Sequence, residues 1–239
     1  MSGHSKWSQI KRQKGINDQK RGQIFSKLSR LITLAVKEGG GITDPSNNLR
    51  LRLAVERAKV ENMPRENVMR AIEKAKGEGG AGLKEIIYEA FAPKGVHLLI
   101  KVLSDNPNRT HSEVKNLIER LGGKMGTPNS VAYQFKKCGV VVFNKNKADE
   151  TAVFSFAEKA GSFDIEENDT SYIVYIPFEQ IGQVHENLSG LEASNIEIFY
   201  RPEITVSLEQ NDIATIEHLI ECLDDLEDVD KVYANFTSI

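Results

Sequence analysis

The chain has 239 residues, of which 40% are hydrophobic and 27% charged, a composition typical of a globular protein with roughly one to three domains. Its net charge of −3 conceals an asymmetry, because the first 76 residues hold 17 Lys and Arg against 7 Asp and Glu, and the remainder holds 14 against 27. No apolar run approaches the ~20 residues of a membrane helix. The two cysteines lie far apart in the sequence, which excludes a disulfide framework and favours a cytoplasmic protein.

The first thirty residues carry eight cations and one acid, Asp18, so a polyanion is the expected partner. Residues 2–17 have too few apolar side chains to bury a face and predict an exposed arm. Trp7 lies among these cations, where it could stack on an unpaired base or pack the arm onto the domain behind it. For the basic segment as a whole, the alternative is a run of charged side chains that are merely solvated. The cations expected to contact phosphate are Lys6, Lys11, Arg12, Lys14, Lys20, Arg21, Lys27 and Arg30.

Helical spacing of apolar residues begins near Asp18 and continues to the glycines at 39–41, which predicts one amphipathic helix. Its opposite face is basic. Two more helices are predicted, from about Asn48 to Glu61 and from Pro64 to Lys76. The connection at 39–48 is too long for a helix-turn-helix, so the sequence predicts weak discrimination between duplex DNA sequences.

A Gly-rich linker, Gly77–Gly82, predicts the boundary between a helical domain (residues 1–80) and an α+β body. Beyond it the period of the apolar residues falls to two. Strands are predicted at 85–93 and 95–104, a helix at 110–121 and a short strand at 131–135.

From residue 138 the predicted order is β-α-β-β-α-β, the ferredoxin-like split unit, which closes near residue 202. The tail adds a strand, a helix and a last strand, the missing half of a second α+β unit. The sequence therefore predicts an α+β protein of three domains, in which residues 138–202 form a ferredoxin-like domain inserted into a second one made of residues 81–137 and 203–239.

The segment from Asp105 to Thr110 lies where a strand ends and a helix begins, and free N–H groups at a helix start favour anions. Arg109 and Asn106 are therefore predicted as a second contact with nucleic acid. The alternative is helix capping by Asn108 or Thr110, with Asp105 closing a turn.

Catalytic signals are weak. The histidines lack metal-ligand spacing, and neither a nucleophile elbow nor a phosphate loop is present. The sequence predicts no enzyme, no catalytic residue, no metal and no cofactor. Two acidic clusters, at 166–169 and 224–228, are expected to form solvated faces, to repel nucleic acid, or to bind the basic arm in its absence.

Five stretches of the chain are distinctive in combination: GHSKWSQIKRQKGINDQKRGQIFSKL, LRLRLAVERAKVENMPRENVMRAIEKA, SDNPNRTHSEV, GTPNSVAYQF and IECLDDLEDVDKVYANF. Together they resemble the YebC family from end to end. The resemblance implies a helical amino-terminal domain, two α+β domains around a cleft, a cytoplasmic location and no enzymatic activity. One departure is the turn Ala90–Gly95, where the family has a turn of the type GYGPGG and this chain has AFAPKG.

Family members are described as DNA-binding transcriptional regulators. Others, including mitochondrial translational activators of cytochrome oxidase, are described as translation factors. The first expectation is therefore a non-enzymatic DNA-binding regulator of transcription. The alternatives are a ribosome-associated factor that binds ribosomal or transfer RNA through its arm and relieves stalled translation, and an interaction scaffold whose acidic body binds protein.

Overall fold

The structure is a computed structural model that describes residues 18–77 and 82–238, so the predicted arm and most of the glycine linker lie outside the described residues. The helical region comprises α1 (Asp18–Glu38), α2 (Leu49–Val60) and α3 (Arg65–Lys76). The α+β body contains the remaining helices α4 (Pro107–Arg120), α5 (Glu150–Lys159), α6 (Val184–Asn187) and α7 (Gln210–Asp224). Its strands are β1 (Lys84–Phe91), β2 (His97–Ser104), β3 (Lys124–Met125), β4 (Phe135–Asn144), β5 (Asp164–Glu167), β6 (Ser171–Pro177), β7 (Asn195–Pro202), β8 (Val206–Leu208), β9 (Val229–Ala234) and β10 (Phe236–Ser238).

The three amino-terminal helices share one apolar core, to which α1 contributes Leu28, Ile32 and Val36. Asn48 begins α2 by accepting the N–H of Leu51 at 3.1 Å, and its amide donates to the carbonyl of Ala35 in α1 at 2.9 Å. A Cβ on Gly39 would lie 2.1 Å from that amide nitrogen, so this close approach requires glycine.

The middle domain has a four-stranded antiparallel sheet in the order β3-β1-β2-β9, covered on one face by α4 and α7. Strand β9 pairs with β2, with Leu98 opposite Ala234. A separate parallel pair joins β8 to β10. Chain from both sides of residues 135–202 therefore builds this domain.

The third domain has the sheet order β5-β6-β4-β7 with α5 and α6 on one face, which is the arrangement of a ferredoxin-like split unit. A 3₁₀ segment, Phe178–Gln183, precedes α6, so the second helix of the predicted β-α-β-β-α-β unit is mostly 3₁₀. The predicted fold class, helical domain plus two α+β domains with one inserted in the other, is confirmed. The residue limits of the domains stay a prediction.

The strand predicted at 131–135 is wrong. Residues Ala132–Gln134 form a 3₁₀ turn, and one strand, β4, starts at Phe135. The cause is Glu89, a buried carboxylate of β1. It accepts the N–H groups of Asn129, Val131 and Ala132 at 2.6, 2.6 and 2.8 Å, so these groups are not available to a sheet ladder.

All three domains pack together. Leu49 and Leu53 of α2 enter the core of the third domain. The sheets of the two α+β domains face each other through a further apolar cluster that includes Leu99 and Tyr233 from the middle domain and Phe199 from the third. Among the described residues, no helix is both long and apolar enough to cross a membrane.

Candidate nucleic-acid interface

The predicted site residues fall into three groups in the structure. Those of the arm lie outside the described residues: Lys6, Trp7, Lys11, Arg12 and Lys14. Four cations lie on α1: Lys20, Arg21, Lys27 and Arg30. The last two, Asn106 and Arg109, lie at the start of α4.

The basic face of α1 meets the acidic turn, which we define as Asp224, Asp225, Glu227 and Asp228 at the end of α7. Lys20 Nζ lies 3.8 Å from Asp225 Oδ1, with both side chains exposed. Arg30 Nη2 lies 2.6 Å from Glu227 Oε1. Lys27 donates to the main-chain carbonyl of Asp224, and burial lowers the pKa of its ammonium group. The turn thus neutralises much of the cationic face predicted to contact phosphate.

Asp228 joins the α1 group to the α4 group. Its side chain is 3% exposed and accepts from Arg30 on one oxygen and from Arg109 Nη2, at 2.8 Å, on the other. The hydroxyls of Thr110 and Ser104 also donate to it. Burial opposes ionisation of Asp228, but the hydrogen bonds from Thr110, Arg109 and Arg30 outweigh it and hold the pKa below its ordinary value.

The start of α4 is capped by Asn106, whose side-chain oxygen accepts the N–H of Arg109 at 3.2 Å. Capping was expected from Asn108 or Thr110, but the hydroxyl of Thr110 is directed to Asp228 instead. Arg109 also lies 3.3 Å from Asp105. The structure therefore gives both Asn106 and Arg109 internal roles, and their contact with nucleic acid stays a prediction.

A second ionic cluster, deeper between the domains, was missed from the sequence. Arg57 of α2 lies 2.7 Å from Asp230 of β9, and Lys101 of β2 lies 3.1 Å from the same carboxylate. Burial disfavours both charges, but mutual attraction raises the pKa of Arg57 and lowers that of Asp230. The only sequence signal was a charged residue inside an apolar strand.

Titratable chemistry suited to catalysis is sparse. In the described part of the chain no three His, Cys, Asp or Glu side chains converge on a possible metal position. Burial raises the pKa of the Cys138 thiol to about 11, so the thiol stays protonated at neutral pH.

Comparison with known proteins gives two family matches that together span nearly the whole chain. The model described as "TACO1/YebC protein N-terminal domain" matches residues 5–78, and "TACO1/YebC second and third domain" matches residues 83–236.

A protein of Chloroflexus aurantiacus named "Probable transcriptional regulatory protein" is 42% identical over 240 residues, which cover 98% of this chain and 95% of the relative. A protein of Pelotomaculum thermopropionicum with the same name is 40% identical, covering 99% and 98% of the two chains. The crystal structure of a conserved hypothetical protein from Aquifex aeolicus aligns with a TM-score of 0.83 and 35% identity over 92% of this chain and 91% of that one.

Proposed function

Because this chain belongs to the TACO1/YebC family, we propose that it is a non-enzymatic, DNA-binding transcriptional regulatory protein. The observation that carries the proposal is the name shared by relatives about 40% identical over the full chain. That the ligand is DNA and that no reaction is catalysed are both part of the proposal.

Charge distribution supports a polyanionic ligand. The amino-terminal region is strongly basic and the body is acidic, so an anion is attracted to one end of the molecule and repelled from the other. Each phosphate neutralised by Lys or Arg releases counterions, and affinity therefore falls steeply with salt. The α+β domains supply the acidic turn, which binds the same cations when nucleic acid is absent.

The test is a competition assay at physiological ionic strength. A labelled duplex carrying promoter sequence is bound, and scrambled duplex or ribosomal RNA is added as competitor. A DNA regulator retains the promoter duplex against both. Displacement by ribosomal RNA at lower concentration than by duplex would overturn the DNA assignment and favour the translational alternative, which the names of the two relatives do not mention.

The arm is tested in the same assay. Changing Lys11, Arg12 and Lys14 together to Ala should lower the slope of log affinity against log salt by about one unit per cation. The control removes Lys115, Arg120 and Lys124, three exposed cations of the middle domain. Equal effects of the two variants would mean that the protein binds through net charge alone and would contradict the assignment of the arm.

A further inference from the structure

The connection between α2 and α3 is a four-residue joint, 61–64, with a defined geometry. The N–H of Met63 donates to the carbonyl of Ala58 at 2.9 Å, and the N–H of Asn62 donates to that of Lys59 at 3.0 Å. Asn62 is left-handed, with a φ of 55°. These are the two hydrogen bonds of a Schellman motif, and Met63 and Ala58 are both buried, as that motif favours. The joint ends α2 sharply and turns the chain.

Both α2 and α3 pack along α1, whereas they make little contact with each other. Two helices that are joined by a short turn, do not pack side by side and share a third helix as support have the connectivity of a helix-turn-helix. The sequence-based expectation that none exists considered the connection at 39–48 and overlooked this one. Pro64 precedes α3 as its N-cap residue and leaves the first N–H groups without a side-chain cap.

Helix α3 is the only one of the three that makes no substantial contact with either α+β domain among the described residues. Helix α1 binds the acidic turn, and α2 enters the core of the third domain. On α3, seven of twelve residues are exposed: Arg65, Glu66, Met69, Arg70, Glu73, Lys74 and Lys76. Met69 is 47% exposed. One ion pair between them, Arg70 with Glu66, lies within the helix.

The exposed face has an ordered distribution of charge. With 100° per residue, Glu66, Met69 and Glu73 follow its middle. Cations occupy both edges, Arg65 and Lys76 along one and Arg70 and Lys74 along the other. Two basic rows that flank an apolar and acidic centre match a major groove, in which phosphates line both sides and base edges form the floor.

We propose that α3 is the recognition helix of this helix-turn-helix and that its occupant is the major groove of duplex DNA. The inference rests on the proposed DNA-binding function and adds the element that distinguishes sequences. The groove, about 12 Å wide, admits an α-helix. The flanking cations bind phosphates of the two strands and set the register. Glu66 accepts from a cytosine amino group, and Met69 contacts a thymine methyl group.

The experiment is selection of binding sites by the full chain from a duplex library with a randomised centre. The wild-type protein should enrich a motif. The double variant Glu66→Gln, Met69→Ala should lose discrimination for that motif by about tenfold or more, with changed preference at adjacent positions. Its affinity for scrambled duplex should not fall, because no cation is removed and Glu66→Gln releases Arg70 from its ion pair.

A matched control exists on α5, where Phe154 and Glu158 are also exposed. The variant Phe154→Ala, Glu158→Gln makes the same kind of change and should keep the wild-type motif. If the α3 variant enriches the same motif with undiminished discrimination, or if the wild-type protein binds duplex but enriches none, the recognition-helix inference is overturned while DNA binding stands. Failure of the wild-type protein to bind duplex overturns the proposed function itself.

Discussion

Asp228 links the helical and middle domains through its charge. This carboxylate is buried and lies between two guanidinium groups that come from different domains, Arg30 and Arg109. Hydrogen bonds to a charged group contribute about 1.5–3 kcal/mol each, so the carboxylate is worth more to stability than an exposed ion pair, which contributes about 1 kcal/mol or less.

Replacing Asp228 by Asn should lower the free energy of unfolding by about 2 kcal/mol at neutral pH, because an amide cannot accept from both guanidinium groups as a charge does. Urea denaturation followed by circular dichroism measures this free energy of unfolding. The control is Glu227→Gln, since Glu227 is 66% exposed and bound to the same Arg30. A loss equal to that of the control would contradict the role assigned to Asp228.

At low pH, the difference in unfolding free energy between the wild-type protein and the Asp228→Asn variant should disappear. The pKa of Asp228 is lowered in the folded protein, so its contribution is fully present above the unfolded pKa of about 3.9. It is lost as the pH falls through the lower folded pKa. The Asn variant and the wild-type protein should therefore show a constant difference in stability from neutral pH to about pH 5, and converge below about pH 4. A difference that persists in acid would place the effect in packing.

Among the secondary-structure elements, the acidic turn binds cations of α1 that the sequence predicted as phosphate contacts. Lys20 and Arg30 bind Asp225 and Glu227 in the structure, and both were predicted from the sequence to contact phosphate. A phosphate backbone must therefore displace the exposed carboxylates of the turn or bind around them.

The variant Asp225→Asn, Glu227→Gln should bind duplex DNA several-fold more tightly and with a steeper salt dependence, since Lys20 is released and Arg30 loses one of its two acidic partners while Asp228 remains. Fluorescence anisotropy over a series of salt concentrations measures both quantities. The control is Glu113→Gln, Glu119→Gln, the same change of net charge on the exposed side of α4. If the control tightens binding equally, the effect is general repulsion rather than competition at the turn.

Local patterns predicted most elements because each depends on nearby residues. The apolar stripe of α1 and the stop at 39–41 are visible in the sequence, and so are the alternating strands β1 and β2. Features made by distant partners could not be predicted. Glu89 removes the N–H groups of residues 129, 131 and 132 from a strand, and Asp228 binds an arginine almost two hundred residues away.

The joint at 61–64 could be predicted only in part from the sequence. Asn62 and Pro64 indicate a helix boundary, and that boundary was predicted. The angle between two helices depends on how both pack on a third, which single-sequence patterns do not report. The face of α3 therefore went unnoticed, although all of its residues were visible.

On the scale of the whole molecule, the middle domain depends on chain segments from both sides of the third. A fragment of residues 83–239 should fold without the helical domain, with a lowered Tm, because Leu49 and Leu53 no longer fill the third-domain core. Asp230 keeps Lys101 as a partner in that fragment.

A fragment of residues 83–137 should not fold, since it lacks α7 and β9 and exposes the apolar face of β2. Thermal melts followed by circular dichroism, with exchange of backbone amides, distinguish the two fragments. A cooperative melt of the short fragment would contradict the division of the chain into a split middle domain and an inserted third domain.

The insertion also determines the order in which the strands of the middle sheet are synthesised. Strand β2 emerges early, but β9, its neighbour in the sheet, follows only after the whole third domain. Chains are synthesised at about 5–20 residues per second. The apolar side chains of β2, which include Leu98, Ile100 and Val102, are therefore left without α7 and β9 for on the order of ten seconds. The third domain, being continuous, can fold within that interval. The half-built middle sheet is thus the segment of the nascent chain most exposed to aggregation and most in need of a chaperone.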